Sequence, residues 1–412
     1  MPAQLRSQVV PSQSPQHSQL EKYIPIFTSL LSSRGFKPPT LRTKTQILRN
    51  FNGWIEKRQL KICDLDEEAI DFFFNEHPRA GFVRRGDFST LRSLLEWLRE
   101  IQEVQALPPK VENSKLCRIE CGFSRYLGEE RGLSKATLDN YLPVIHRFLD
   151  ERFDSDDIAL DEIDASDVTQ FVLGYARTMG RRSSQLMTTA LRGFFRFLYL
   201  RGDIGTDLAL SVPTVADWKV SDLPKSLEPE DVECLLQSCD QSTAVGQRDY
   251  AVLILLARLG LRAGEVVAMT LDDIDWESGL LTIRGKGARR DQLPILEDVG
   301  TALAMYLRHG RPRCDTRRVI IRVRAPHRGF SGSAAICDIV RRALKRAGLD
   351  PIRKGAHLLR HSLATKMLQR GASLAEIGQI LRHATQNTTE IYTKVDLAAL
   401  SALAQPWPGG DI

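Results

Sequence analysis

The chain has 412 residues, enough for two or three domains that each bury a core. Its 42% hydrophobic and 26% charged residues match a soluble globular protein, and its longest apolar run, Ala251 to Leu261, is interrupted by Arg258 and too short to span a membrane. The net charge of +6 is mild, so a strongly basic chain is excluded as a whole, though not locally.

Residues 1–18, rich in Ser, Gln and Pro, read as a disordered tail. From 19 to 108 the spacing is helical: Leu41, Ile47, Leu48, Phe51 and Trp54, then Ile70 and Phe73, then Leu91, Leu94, Leu95 and Leu98. Pro108-Pro109 ends this block. A second helical block, 113–207, repeats the first in order. Phe51 and Phe148 occupy the same place, as do Ile70 and Val168, Phe73 and Phe171, Arg84-Arg85 and Arg181-Arg182, and Leu91 and Leu191. An ordered series with a slowly drifting offset points to a duplicated helical domain; the alternative is two unrelated four-helix units with shared periodicity.

A linker, 208–225, leads to a third block, 226–412, which mixes element types. Pro229 among acids starts a helix over 229–239, and another covers 246–258. Leu280 to Arg284 and Gln292 to Ile295 form a β-hairpin around Gly285-Lys286-Gly287, and Val319 to Val323 is expected as a third strand. Ser373 and Glu376 form a capping box before an apolar stripe at Leu374, Ile377 and Leu381. The fold class is mainly α with a small antiparallel β-sheet (α+β). The seven cysteines are odd in number and lack zinc-type spacing, which predicts thiols in a reducing cytoplasm, and the N-terminus shows no signal peptide.

Six residues of the third block stand out as a chemical set. Arg262 lies in Gly260-Leu261-Arg262-Ala263-Gly264-Glu265; His357 and Arg360 are three apart; His383 follows Leu381-Arg382; Tyr392 comes nine residues later. Attack on a phosphodiester builds negative charge on the non-bridging oxygens, and arginine's planar fork binds two such oxygens without ever losing its proton. Arg262 and Arg360 are therefore expected as a clamp and Tyr392 as the nucleophile. His357 is a candidate for the tyrosine's proton, His383 a phosphate donor, and Lys286 the acid for the leaving 5′-oxygen. Plainer alternatives stay open: a simple pair with Glu265 for Arg262, an exposed turn position for Lys286, and packing for Tyr392. His361 is expected to be structural. Eight arginines between 308 and 328, against Asp315 alone, suit a polyanion such as nucleic acid, or else a solvated face.

These motifs resemble the catalytic domain of the tyrosine recombinase (phage integrase) family, with Arg262, Lys286, His357, Arg360, His383 and Tyr392 at its six catalytic positions. The second block looks like that family's helical core-binding domain. The resemblance implies site-specific cutting and rejoining of double-stranded DNA through a 3′-phosphotyrosine, with dimers and tetramers assembling on the sites. It implies no cofactor and no metal. Accessory recombinases or DNA-bending proteins are partners it allows. Lys394 to Ala404 looks like a segment that docks on a neighbouring subunit, and the helical first block is similar to long integrases of transposons and other mobile elements. Such an enzyme is expected in the cytoplasm, on the nucleoid when bound to DNA. Two rivals are a type IB topoisomerase-like nicking-closing enzyme and a non-catalytic DNA-binding relative.

Overall fold

The computed structural model describes residues 20–76, 85–105, 114–153, 158–215, 226–285, 290–382 and 389. Two compact units divide the chain: Gln105–Lys219 is one, and Met1–Val104 with Val220–Ile412 is the other. Among the described residues each of the three blocks buries its own large apolar cluster.

The first block contains α1 (Tyr23–Ser33), α2 (Pro38–Arg58), a short 3₁₀ turn at Ile62–Asp64, α3 (Glu67–Glu76) and α4 (Arg85–Glu100). Pro38 opens α2 where a missing N–H costs nothing, and the left-handed Gln59 closes it. Phe51 on α2 meets Phe73 on α3 edge to face, with ring centroids 5.1 Å apart. In the second block come α5 (Lys115–Arg125), α6 (Lys135–Arg152), a 3₁₀ turn at Leu160–Glu162, α7 (Ala165–Thr178) and α8 (Arg181–Arg201). Ser114 caps α5 by accepting from the Cys117 amide, and Asp164 caps α7 in a box with Asp167. Phe148 on α6 meets Phe171 on α7 edge to face at 5.2 Å.

The third block runs α9 (Pro229–Gln237), α10 (Ala244–Leu259), α11 (Ala263–Ala268), β1 (Ile274–Asp275), β2 (Leu280–Arg284), β3 (Arg290–Pro294), α12 (Glu297–Met305), α13 (Ala334–Arg346), α14 (Ala356–Gln369) and α15 (Leu374–Ile380). Every residue from Ala251 to Leu256 is fully buried, so α10 is apolar on all sides because other helices surround it. Arg258, near its end, pairs with Glu233 and Asp298 at 2.8 Å each. No helix among the described residues is long and apolar enough to cross a membrane.

The sheet is antiparallel in the order β1-β2-β3, with Leu281 opposite both Ile274 and Leu293. Its third strand is not the expected one. Val319, Ile320 and Ile321 are fully buried in succession, whereas a strand on a one-sided sheet would bury alternate residues. Both edges of β2 are already taken, and among the described residues the run and the residue before it form isolated bridges, Thr270 with Arg318 and Ile321 with Gly329. Its amides are satisfied singly instead: Val319 donates to the Met269 carbonyl at 3.0 Å and Ile321 to the Tyr306 hydroxyl at 3.3 Å.

Candidate active site

The site is built where α10 ends. Gly260 caps α10 with φ +57, a left-handed turn that glycine enters without penalty. Leu381 and Leu363 crowd that glycine, since a Cβ there would lie 2.6 Å from one and 3.1 Å from the other. The turn throws Arg262 forward as the residue preceding α11, with its side chain 38% exposed.

Arg360 reaches the same corner from α14. It is buried, and its two terminal nitrogens donate to the carbonyls of Gly260 and Leu381. Arg262 donates from Nη1 to Glu265 Oε1 at 2.8 Å and from Nη2 to the Arg382 carbonyl at 3.3 Å. Two arginines almost a hundred residues apart are thus tied to consecutive carbonyls of one turn, Leu381 and Arg382. Immediately after that turn comes His383. The expected pairing of Arg262 with Glu265 is present, but the same guanidinium also reaches the turn.

Glu265 and Arg382 are the residues that the sequence reading passed over. The Arg382 side chain is 5% exposed, its backbone is left-handed at φ +53, and its Nη2 donates to Glu265 Oε2 at 2.9 Å. Left-handed backbone is rare for a non-glycine residue, so this buried ion pair holds the turn in a shape that it would not adopt alone. Burial raises the Glu265 pKa, but the Arg262 amide and the Arg382 and Arg262 guanidinium groups outweigh it and keep the carboxyl below its ordinary range. The signal was available in the sequence: an acid inside the Gly-Leu-Arg motif and an arginine directly before His383 can neutralise each other once both are buried.

His357 lies three residues before Arg360 on α14 and is exposed. His361 is half-buried beside it, with ring centroids 6.5 Å apart. Burial first, then His357, Arg360 and Arg353, push the His361 pKa down to about 4. Lys286, His383 and Tyr392 lie outside the described residues, as does the segment from Lys394 to Ala404. Among the described residues no group of His, Cys, Asp or Glu could hold a metal ion.

The arginine run from 308 to 328 divides by role. Arg311 donates to the carbonyls of Thr316 and Arg318, Arg317 pairs with Asp272, and Arg318 donates to the Ala268 carbonyl. Those three hold the irregular segment together. Arg322, Arg324 and Arg328 instead line an open cavity of about 770 Å³.

The comparisons with known proteins agree with one another. A family model described as the phage integrase family matches residues 225–398, and one for the phage integrase N-terminal SAM-like domain matches residues 121–202. A Sinorhizobium fredii protein that bears an integrase/recombinase name is 42% identical over 393 residues, covering 94% of each chain. The tyrosine recombinase XerD of Listeria innocua is 33% identical over 280 residues, covering 66% of this chain and 92% of the relative. Among solved structures, the XerH site-specific recombinase bound to its palindromic difH substrate in a post-cleavage complex gives a TM-score of 0.54. It is 18% identical and covers 94% of both chains, which is a likeness of fold.

Proposed function

This chain belongs to the phage integrase family of tyrosine recombinases, enzymes that cut and rejoin DNA, and we propose that Arg262, Lys286, His357, Arg360, His383 and Tyr392 carry out its chemistry. The observation that supports this best is the shared turn, because Arg262 and Arg360 both hydrogen-bond the backbone directly before His383. A guanidinium fixed by carbonyls before the reaction needs no reorganisation when charge develops, and that is where electrostatic catalysis gains most.

In the proposed step the Tyr392 hydroxyl oxygen attacks the phosphorus, and its proton passes to His357. The phosphorus–oxygen bond to the 5′ carbon side breaks, and the leaving oxygen takes a proton from Lys286. A 3′-phosphotyrosine and a free 5′-hydroxyl result. Reversal with a different 5′-hydroxyl joins new strands, so the ester conserves the bond energy. Arg262, Arg360 and His383 hold the non-bridging oxygens throughout. Dimers on each site and a tetramer in the synapse follow from the family resemblance. The role we assign is integration or transposition of a mobile element, supported by the long helical N-terminal half and by the 42% identical relative that shares it.

Tyr392→Phe tests the centre of this scheme. It removes one hydroxyl and no phosphate-binding charge, so duplex affinity should stay within a few-fold while covalent capture disappears. A nicked suicide substrate should trap the unaltered protein on a denaturing gel and fail to trap the variant. A covalent band from the variant would place the nucleophile elsewhere.

A further inference from the structure

The first helical block touches the catalytic block where Arg34 and Gly35 meet His327. Helix α1 ends in a tight turn in which Arg34, Gly35 and Phe36 donate their amides to Leu30, Ser32 and Leu31. Gly35 has φ +88 and Arg34 keeps a carbonyl that the turn leaves over. That carbonyl accepts from the His327 amide at 2.9 Å. The Cδ2–Nε2 edge of the His327 ring is so close to Gly35 that a Cβ there would sit 2.0 Å from Cδ2 and 2.1 Å from Nε2. Nδ1 of the same ring is 3.3 Å from the Arg322 carbonyl, which can only accept, so Nδ1 carries the proton.

His327 belongs to the loop that carries Arg322, Arg324 and Arg328, one residue before the Arg328 carbonyl that closes it. At its base the loop is closed by the Ile321–Gly329 bridge and by the Arg322 amide donating to the Arg328 carbonyl at 2.9 Å. Its three arginines face a cavity whose far wall, on α13, supplies Arg341, Arg342 and Lys345 against a single acid, Asp338. Asp338 is engaged by Arg341 at 2.7 Å. Arg322, Arg324 and Arg328 make no ion pair among the described residues. Burial and the neighbouring Arg328 both act against the charge on Arg322. Like charges gathered in this way are unfavourable until an anion enters.

We propose that the contact of Arg34 and Gly35 with His327 is a clasp, by which the first helical block holds the Arg322–Arg328 loop in the shape that grips a phosphodiester backbone. This rests on the DNA-cutting function above. The first block then acts on DNA through the catalytic block's arginines rather than only through its own. His327 is a positioning residue, and Gly35 is the socket that only a residue without a side chain can provide.

The test is binding of a 30-base-pair duplex by the full chain, measured by fluorescence anisotropy over a range of salt concentrations. Each phosphate contact contributes about 0.9 to the slope of log affinity against log salt. Gly35→Ala should lower the slope by about 2–3 and weaken binding at least tenfold at moderate salt. His327→Ala, which keeps the amide and removes the ring, should lower it less. Adding His327→Ala to Gly35→Ala should bring most of the slope back towards that of His327→Ala alone, because the new methyl then has room and only the strain of alanine at φ +88 is left. Additive losses would mean that Gly35→Ala acts through its own backbone, and would overturn the clasp. So would a normal slope in both clasp variants while Arg324→Ala with Arg328→Ala lowers it. If the duplex binds but none of these substitutions changes the slope, the cavity holds no phosphate and the proposal falls. If the unaltered chain does not bind duplex at all, the DNA-cutting function itself is wrong. Circular dichroism of each variant separates these outcomes from misfolding.

Discussion

At the scale of single residues, the site separates groups that must carry charge from one that must not. Arg262, Arg360 and Arg382 are tied in place by carbonyls and by Glu265, while His361, next to Arg360, has its pKa pushed down to about 4. The folded chain therefore keeps His361 neutral where the unfolded chain, at 6.5, begins to protonate it. The stability attached to the neutral ring is complete above about pH 6.5 and is lost as pH falls from there towards about 4, by about 3 kcal/mol at most. Below that value both states are protonated and the slope ends. His357 on the same helix, with Arg360 and Arg353, faces this ring, so protonation would add a cation to an already cationic corner. His361→Gln should flatten the stability profile between these limits, and the His361 ring protons in an NMR titration should not move until about pH 4. A midpoint near 6.5 would show that the ring is not held in this environment. None of this was legible in the sequence beyond the expectation that His361 is structural, since depth of burial depends on which helices close over α14.

Elements show more clearly what pattern can and cannot reveal. Two helix starts were legible because a cap or a proline marks them: Pro229 opens α9, and the Ser373–Glu376 box opens α15. β2 falls where alternation placed it, with Leu281 and Ile283 buried. The Val319 run misled because periodicity reads apolarity, and a run that is buried on every side needs no partner strand. The duplication of the first two blocks remains a proposal, but the elements favour it. Both blocks run helix, helix, 3₁₀ turn, helix, helix, the second with an added π turn at Tyr126–Glu130 and a closing 3₁₀ turn at Leu208–Leu210, and the paired phenylalanines make the same edge-to-face contact at 5.1 and 5.2 Å. What sequence could not show is that Gly260, chosen as part of a motif, works by shape. Gly260→Ala would put a methyl group 2.6 Å from Leu381, whose carbonyl holds Arg360, and would place alanine at φ +57. Left-handed backbone alone costs roughly 1–2 kcal/mol. We expect the variant to lose about 2–3 kcal/mol of stability in thermal unfolding. Cleavage of the suicide substrate should fall further than lost folding explains. A variant equally unstable but fully active per folded molecule would show that the turn does not position Arg360.

For the whole molecule, the separate cores make the division of labour testable. Phe27, Phe51 and Leu94 belong to one cluster, Phe123, Phe148 and Phe194 to a second, and Leu253, Ile254 and Tyr306 to a third. Removing residues 1–108 takes away the first cluster entire and no member of the other two. The shortened chain keeps all six proposed catalytic positions, so it should still trap a suicide substrate covalently. It should nevertheless bind duplex more weakly and with a shallower salt dependence than the full chain. The first block carries Arg42, Lys44, Arg49 and Arg92, yet Lys44 is half-buried, donating to Thr90 at 2.6 Å, and the guanidinium of Arg92 lies 4.5 Å over the Phe88 ring. Part of that basic set is thus committed to the block's own packing. If the first block works mainly by holding the arginine loop, the truncation and Gly35→Ala should lose about the same slope, between 2 and 3. A much larger loss on truncation would mean that the block's own cations contact phosphates as well. Full affinity and an unchanged slope after truncation, with recombination between two sites also intact, would mean that the first block has no part in gripping DNA.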